Sequence, residues 1–206
     1  MKERCIIITS HIQGSIKDII DPKDAYIICA DGGYDLATRE GITPDIAIGD
    51  FDSAKSIPAN IPLLQVPSHK DVTDTSLCID HAAQKGFHRI FLIGGLGGRV
   101  DHSMANIQNM VAAAKNNLSI IVMDEKNMVM AIVDDEITLP SMEGWKLSLL
   151  SFSDECLGVT ASGVAYPLEN ARLTSDYPLG TSNEIIKEEA FIKVEKGVLL
   201  LMYSRD

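Results

Sequence analysis

Over its first two thirds the chain repeats one pattern: a short apolar run rich in β-branched residues, a polar or glycine-bearing turn, then an amphipathic stretch. That alternation commits it to a layered α/β domain. Arg4–Thr9, Ala25–Ala30, Ile46–Ile48, Leu63–Val66, Arg89–Ile93 and Leu118–Met123 read as strands. Tyr34–Glu40, Thr73–Lys85 and Asp101–Asn116 read as helices, the second ended by Gly86 and the third by the Asn116-Asn117 pair. In an open parallel sheet, ligands collect at the carboxyl ends of strands. Asp31-Gly32-Gly33, Gly49-Asp50-Phe51-Asp52 and Gly94-Gly95-Leu96-Gly97-Gly98-Arg99 all fall there, so three loops are expected to converge on one site.

From about Asp124 helical periodicity stops. Short β-rich runs follow, punctuated by Gly144, Gly158, Gly163, Gly180 and Gly197, as in an antiparallel sandwich. The expected fold is a Rossmann-like, mostly parallel α/β domain over 1–125 followed by a C-terminal antiparallel β-sandwich over 126–206. The clearest hairpin signal pairs Ala190–Val194 with Val198–Tyr203 around Glu195-Lys196-Gly197. Trp145 sits in a strand-like run, where core packing is the default.

At 206 residues the chain is long enough for an ordinary core. Its net charge of −11 and the lack of any Lys/Arg cluster argue against a nucleic-acid backbone as partner. No apolar stretch approaches the roughly 20 residues of a membrane span, so no membrane partner is expected. The opening apolar run is read as a first strand rather than a signal peptide. Cys5, Cys29, Cys78 and Cys156 are scattered and mostly lie in apolar runs, which suits reduced core thiols and a cytoplasmic location.

Chemistry concentrates in a few stretches. Asp50 and Asp52 are two residues apart, so in extended backbone both carboxylates leave one face and reach one hard cation; the alternative is an Asx turn closing a strand. Asp71 and Asp74 lie one helical turn apart at a helix start, where capping and the helix dipole offer an alternative role. Together these carboxylates fit a Mg²⁺ site, with Asp50, Asp52 and Asp74 sufficient as ligands beside phosphate oxygens. The glycine-rich stretch lacks both the Walker lysine and Gly-x-Gly-x-x-Gly spacing. Its glycines still allow close approach of backbone amides to an anion, a helix N-terminus follows, and Arg99 is placed to chelate phosphate. The alternative is a flexible connection with Arg99 solvated and Asp101 as a cap. His102 is the histidine best placed to matter, His69 is ambiguous, and His11, His81 and His88 are read as ordinary surface or core residues. Thr181, Ser182 and Asn183 are read as lying in a loop just before an apolar strand.

Taken in order, Ala30-Asp31-Gly32-Gly33, Pro44-Asp45 through Gly49-Asp50-Phe51-Asp52-Ser53, Lys70-Asp71-Val72-Thr73-Asp74-Thr75, Gly94 through Asn106, and Gly180-Thr181-Ser182-Asn183-Glu184 resemble the thiamine pyrophosphokinase family over nearly the whole chain. The resemblance implies transfer of a diphosphoryl group from ATP to the hydroxyl of thiamine, giving AMP and thiamine diphosphate. It implies a homodimer with the thiamine site between the α/β domain of one subunit and the sandwich of the other. Asp50, Asp52 and Asp74 match the Mg²⁺-associated residues, with Asp71 beside them. Asp31, Gly32, Gly95, Gly98, Arg99 and His102 match the nucleotide side, and Arg99 with Asp101 would orient phosphates and acceptor. Asp101, Asn106, Thr181, Ser182 and Asn183 are implied on the thiamine side, although Ile185 stands where many relatives carry an aromatic residue. Thiamine's fixed positive charge suits the acidic balance. Rival readings are a diphosphotransferase for another alcohol such as a hydroxymethylpterin, a non-catalytic Mg·ATP-sensing module, and a Mg²⁺-dependent phosphohydrolase.

Overall fold

The computed structural model describes residues 2–12, 14–51, 60–67 and 72–206. The chain forms two compact units, Met1–Glu125 and Lys126–Asp206. Among the described residues, the first unit holds strands β1 (Arg4–Ile8), β2 (Ala25–Ala30), β3 (Ile46–Gly49), β4 (Leu63–Gln65), β5 (Arg89–Ile93) and β6 (Ser119–Met123). Its helices are α1 (Ile16–Ile19), α2 (Gly33–Arg39), α3 (Asp74–Gln84) and α4 (Val100–Ala114). All six strands are parallel, in the order β6-β5-β1-β2-β3-β4.

That order follows from burial. A strand covered on both faces must be apolar at every position, and Cys5, Ile6, Ile7 and Ile8 of β1 are completely buried, as are Ile90, Leu92 and Ile93 of β5. Each such isoleucine contributes roughly 1.5–3 kcal/mol of hydrophobic stabilisation. The exposed, three-residue β4 closes one edge. Helix α3 starts where the Thr73 hydroxyl accepts the Ser76 N–H at 3.2 Å, and buries Cys78, Ile79 and Ala82. The single-turn α1 was not legible as a helix, because four residues carry no periodicity. It is held from outside, the Glu40 carboxylate accepting the Ile16 N–H at 3.1 Å and the Ser15 hydroxyl at 2.8 Å.

The second unit contains β7 (Asn127–Val133), β8 (Glu136–Pro140), β9 (Lys146–Ser151), β10 (Glu155–Ser162), β11 (Leu168–Thr174), β12 (Gly180–Asn183), β13 (Glu189–Lys193) and β14 (Val198–Ser204). Two antiparallel sheets, β7-β14-β9-β12 and β8-β13-β10-β11, enclose a core that includes Leu147, Leu149, Val159, Ile192, Leu199 and Leu201. An α/β unit followed by a β-sandwich is thus the observed fold class. The Tyr203 hydroxyl donates to the Pro140 carbonyl at 2.6 Å, tying one sheet to the other; burial pushes this phenol up to about 12.

Two expectations are corrected. The hairpin expected between Ala190–Val194 and Val198–Tyr203 does not form: β13 pairs with β8 and β10, whereas β14 pairs with β7 and β9. Leu157 and Lys196 form a bridge, with the Lys196 carbonyl accepting the Leu157 N–H at 2.8 Å, so the short connection crosses between sheets. The alternation of β13 and the continuous apolar run of β14 satisfy either arrangement, and a shared core rewards the crossing. Likewise Gly180–Asn183 is not a loop before an apolar strand but the edge strand β12, paired with β9. Trp145 precedes β9, half-buried, with the Arg205 guanidinium 4.8 Å from its ring centre.

The four cysteines are buried, as expected of core thiols. Among the described residues no helix is long and apolar enough to cross a membrane.

A Cβ at Gly33 would lie 2.1 Å from the Ile8 carbonyl oxygen, a backbone atom unable to yield. Gly33→Ala is expected to cost about 1–3 kcal/mol through overpacking. Calorimetry should show a lower melting temperature, and an unchanged one would contradict this packing.

Candidate active site

The chain runs outward from β1 through β2 and β3 to β4, then returns to place β5 on the other side of β1. The β1/β5 boundary is therefore the topological switch point, where the loops leaving neighbouring strands diverge and open a crevice. A cavity of about 530 Å³ lies there. Thr9, Ser10 and His11 line it from the end of β1, and Ala30 and Asp31 from the end of β2. Thr73, Asp74 and Thr75 line it from the start of α3, and Gly95, Gly97, Gly98 and Arg99 from the loop after β5. His102 and Asn106 of α4 complete the lining.

The loop after β5 is shaped by four left-handed glycines, Gly94, Gly95, Gly97 and Gly98, with φ of 80°, 77°, 80° and 64°. At Gly94 a Cβ would meet the His11 carbonyl oxygen at 2.1 Å, and at Gly95 the Asn106 side-chain nitrogen at 2.5 Å. The Gly94 and Gly95 amides are committed to the Met123 and His11 carbonyls. Asn106, 6% exposed, donates to the Gly95 carbonyl at 3.0 Å, and the Ser103 hydroxyl donates to the Gly97 carbonyl at 3.1 Å. The part of this loop that stays exposed is its second half, Gly97 to Arg99, at the N-terminus of α4, a position whose backbone dipoles favour negative charge.

Arg99 grips Asp101 in a two-point ion pair, Nε to Oδ1 at 3.1 Å and Nη2 to Oδ2 at 2.5 Å. The Asp101 carboxylate also accepts the His102 N–H at 3.0 Å. The Arg99 hydrogen bonds, helped by the His102 amide and the guanidinium charge, hold the Asp101 carboxyl down at about 2. Both side chains are exposed, at 73% and 64%, so the pair contributes little to stability. It does set the charge presented at the rim.

The acidic residues are only partly brought together. Asp74 is the first residue of α3 and lines the cavity, half-buried. Asp31 adopts φ of +45° directly after β2, its N–H donating to the Ile48 carbonyl at 2.9 Å. A Cβ at Gly49 would lie 2.9 Å from the Asp31 Cα, so glycine there lets the two strand ends close. Asp50 follows β3 at the same edge of the sheet, half-buried and outside the cavity lining. Gly32 caps α2 beside Asp31. Asp52, Asp71 and His69 lie outside the described residues. Among the described residues no group of three His, Cys, Asp or Glu is arranged to hold a metal ion.

In the second unit, Thr181 and Asn183 line a separate cavity of about 270 Å³ with Leu149, Tyr166, Leu168, Leu179 and Gly180. Asn183 is 6% exposed, and its carboxamide is spent locally: the oxygen accepts the Tyr166 and Glu184 amides at 3.0 and 2.9 Å, and the nitrogen donates to the Tyr166 carbonyl at 2.8 Å. The Thr181 hydroxyl donates to the Pro178 carbonyl at 2.9 Å. Ser182 is exposed with φ of +59°, and its N–H donates to the Ser148 hydroxyl at 3.0 Å.

Sequence reasoning missed Thr9, Ser10 and His11, because that segment carries neither a carboxylate nor a glycine cluster. The signal that finds them is strand order, which a linear reading does not supply.

Comparison with known proteins now bears on this geometry. The family model described as "Thiamin pyrophosphokinase, catalytic domain" matches residues 19–122, and "Thiamin pyrophosphokinase, vitamin B1 binding domain" matches residues 135–199. The chain is 31% identical over 208 residues to a thiamine pyrophosphokinase of Bacillus subtilis, covering 95% of this chain and 97% of that one.

The chain belongs to the thiamin pyrophosphokinase family.

A crystal structure of the Bacillus subtilis thiamine pyrophosphokinase superposes with a TM-score of 0.85 at 28% identity, covering 98% of this chain and 99% of that one. The thiamin pyrophosphokinase of Candida albicans shares the fold, with a TM-score of 0.79 at 15% identity over all of this chain and 90% of that one. Of the two thiamin pyrophosphokinase matches, the catalytic one falls within the unit carrying the 530 Å³ cavity and the vitamin B1 one within the sandwich.

The Arg99–Asp101 pair yields a titration test. A depressed folded-state value means the ion pair is complete above the ordinary carboxylate value of 3.8 and is lost as pH falls through about 2. A ¹³C carboxyl NMR titration should place the Asp101 midpoint near that lower value and return it toward 3.8 in Arg99→Gln. An Asp101 midpoint that does not move in the variant would contradict the pairing.

Proposed function

We propose that the chain catalyses transfer of the diphosphoryl group of ATP to the hydroxyl of thiamine, releasing AMP and thiamine diphosphate. The observation that carries the reading is that both family matches are present in one chain, in order, with a phosphate-suited crevice in the unit that holds the catalytic one. The ATP phosphates sit against Gly97, Gly98 and Arg99, with His102 alongside. The thiamine oxygen forms a bond to the β-phosphorus, the bond from that phosphorus to the bridging oxygen breaks, and its electron pair leaves with AMP. Such a reaction asks the protein chiefly for positioning and charge neutralisation.

Asp50, Asp52 and Asp74 are proposed to hold Mg²⁺. Asp50 follows β3 and Asp74 opens α3, and carboxylates of this kind fit a small hard cation that keeps phosphate oxygens and waters in its shell. When bound, Mg²⁺ offsets the phosphate charge. The hydroxyl proton needs an acceptor. Asp101, already chelating Arg99 and held at about 2, is a weak base and stands outside the cavity lining, whereas Asp74 lines it.

Thiamine binding is assigned to the sandwich around Thr181, Ser182 and Asn183, within a homodimer whose partner completes the site. Exposed Tyr166, Tyr177, Leu179 and Ile186 on this unit support an interface, since large apolar side chains at 53–72% exposure are costly to leave in water. The buried cysteines fit a reducing, cytoplasmic setting.

The direct test is AMP release from ATP and Mg²⁺ with and without thiamine, the product identified by mass. Thiamine-dependent AMP with a matching diphosphate ester is expected. AMP formed only with a hydroxymethylpterin, or nucleotide breakdown without an acceptor, would overturn the assignment. Asp50→Asn and Asp74→Asn should each lower kcat/KM at least about a hundredfold, as loss of charge stabilisation in a transferring phosphoryl group does. Circular dichroism should be unchanged. Near-normal turnover in either variant would remove that residue from the metal site.

A further inference from the structure

We infer that His11 is a positioning residue for the glycine-rich loop, an inference that rests on the nucleotide reading above. The loop from Gly94 to Gly98 holds four glycines at positive φ, each with more backbone freedom to lose on ordering than any other residue type. Support must therefore come from neighbours. On the α4 side it comes from Asn106 and Ser103, which hold the Gly95 and Gly97 carbonyls. On the β1 side it comes from His11, in two ways.

First, the His11 carbonyl accepts the Gly95 N–H at 3.1 Å and lies so close to Gly94 that no side chain fits there. Second, the imidazole supports Gly98. A Cβ built on Gly98 would stand 3.3 Å from Cε1 and 3.4 Å from both Cδ2 and Cγ of His11. Cε1 lies across the ring from the Cγ–Cδ2 edge, so near-equal distances to all three put Gly98 over the ring face rather than beside its rim. The ring is a floor under the residue that precedes Arg99. His11 itself lines the cavity.

The two supports separate by mutation. The main-chain bond to Gly95 survives any substitution, whereas the floor under Gly98 needs a flat ring and not an imidazole. His11→Ala should thus loosen Gly97–Arg99 while leaving Gly95 held, and His11→Phe should restore the floor.

The test has two readouts. Hydrogen–deuterium exchange on unliganded protein should show faster exchange at residues 97–99 in His11→Ala and near wild-type exchange in His11→Phe. Calorimetric binding of α,β-methylene-ATP with Mg²⁺ should be about tenfold weaker in His11→Ala and within about twofold of wild type in His11→Phe, with the KM for thiamine unchanged. Wild-type exchange in His11→Ala would overturn the inference, as would His11→Phe as impaired as His11→Ala. A wild-type protein that does not bind the analogue would overturn the nucleotide reading instead, and the exchange data would still decide the role of His11.

Discussion

Main chain packed against main chain at the carboxyl end of β1 is the constraint from which the site follows. Gly33 closes on the Ile8 carbonyl and Gly94 on the His11 carbonyl, with separations no Cβ permits. Loops from β2 and β5 are thereby drawn onto one strand end. β1 can serve as the hub because its neighbours were added on opposite sides, β2 on one and β5 on the other. An apolar, fully buried strand supplies a rigid post, and the glycines supply the clearance to approach it.

Charge is then divided within the crevice. Carboxylates arrive from the end of β2 and the start of α3 as Asp31 and Asp74, while Arg99 arrives with the glycine loop. A nucleotide needs both, cationic donors for its phosphates and carboxylates for the cation that accompanies them. Pairing with Asp101 offsets part of the positive charge that Arg99 presents at the rim. The chain's net charge of −11 is compatible with a cationic acceptor and suits a phosphate donor only through such local arrangements.

Much of this was legible in the sequence because period and punctuation are local. The six strands of the first unit were placed within a residue at either end, and the turns of interest were recognised from glycines and aspartates. What was not legible is long-range. Strands β13 and β14 carry apolar patterns compatible with a hairpin, and the shared core that sends them to different sheets is invisible locally. The role of Thr9–His11 depends on β5 returning beside β1, which no local pattern announces. Asn183 illustrates the same gap: its side chain is satisfied by Tyr166, seventeen residues away, so its burial reflects a backbone partner as much as any ligand. Asp52 and Asp71 lie outside the described residues, and their roles rest on the family resemblance.

The central claim is that the crevice at the β1/β5 switch point takes the nucleotide. A crystal structure with α,β-methylene-ATP, whose bridge between the α and β phosphorus atoms resists transfer, and Mg²⁺ tests it most directly. The account predicts phosphate oxygens within hydrogen-bonding distance of the Gly97–Arg99 segment and the cation on the Asp74 side. A nucleotide bound elsewhere, with that segment untouched, would contradict it.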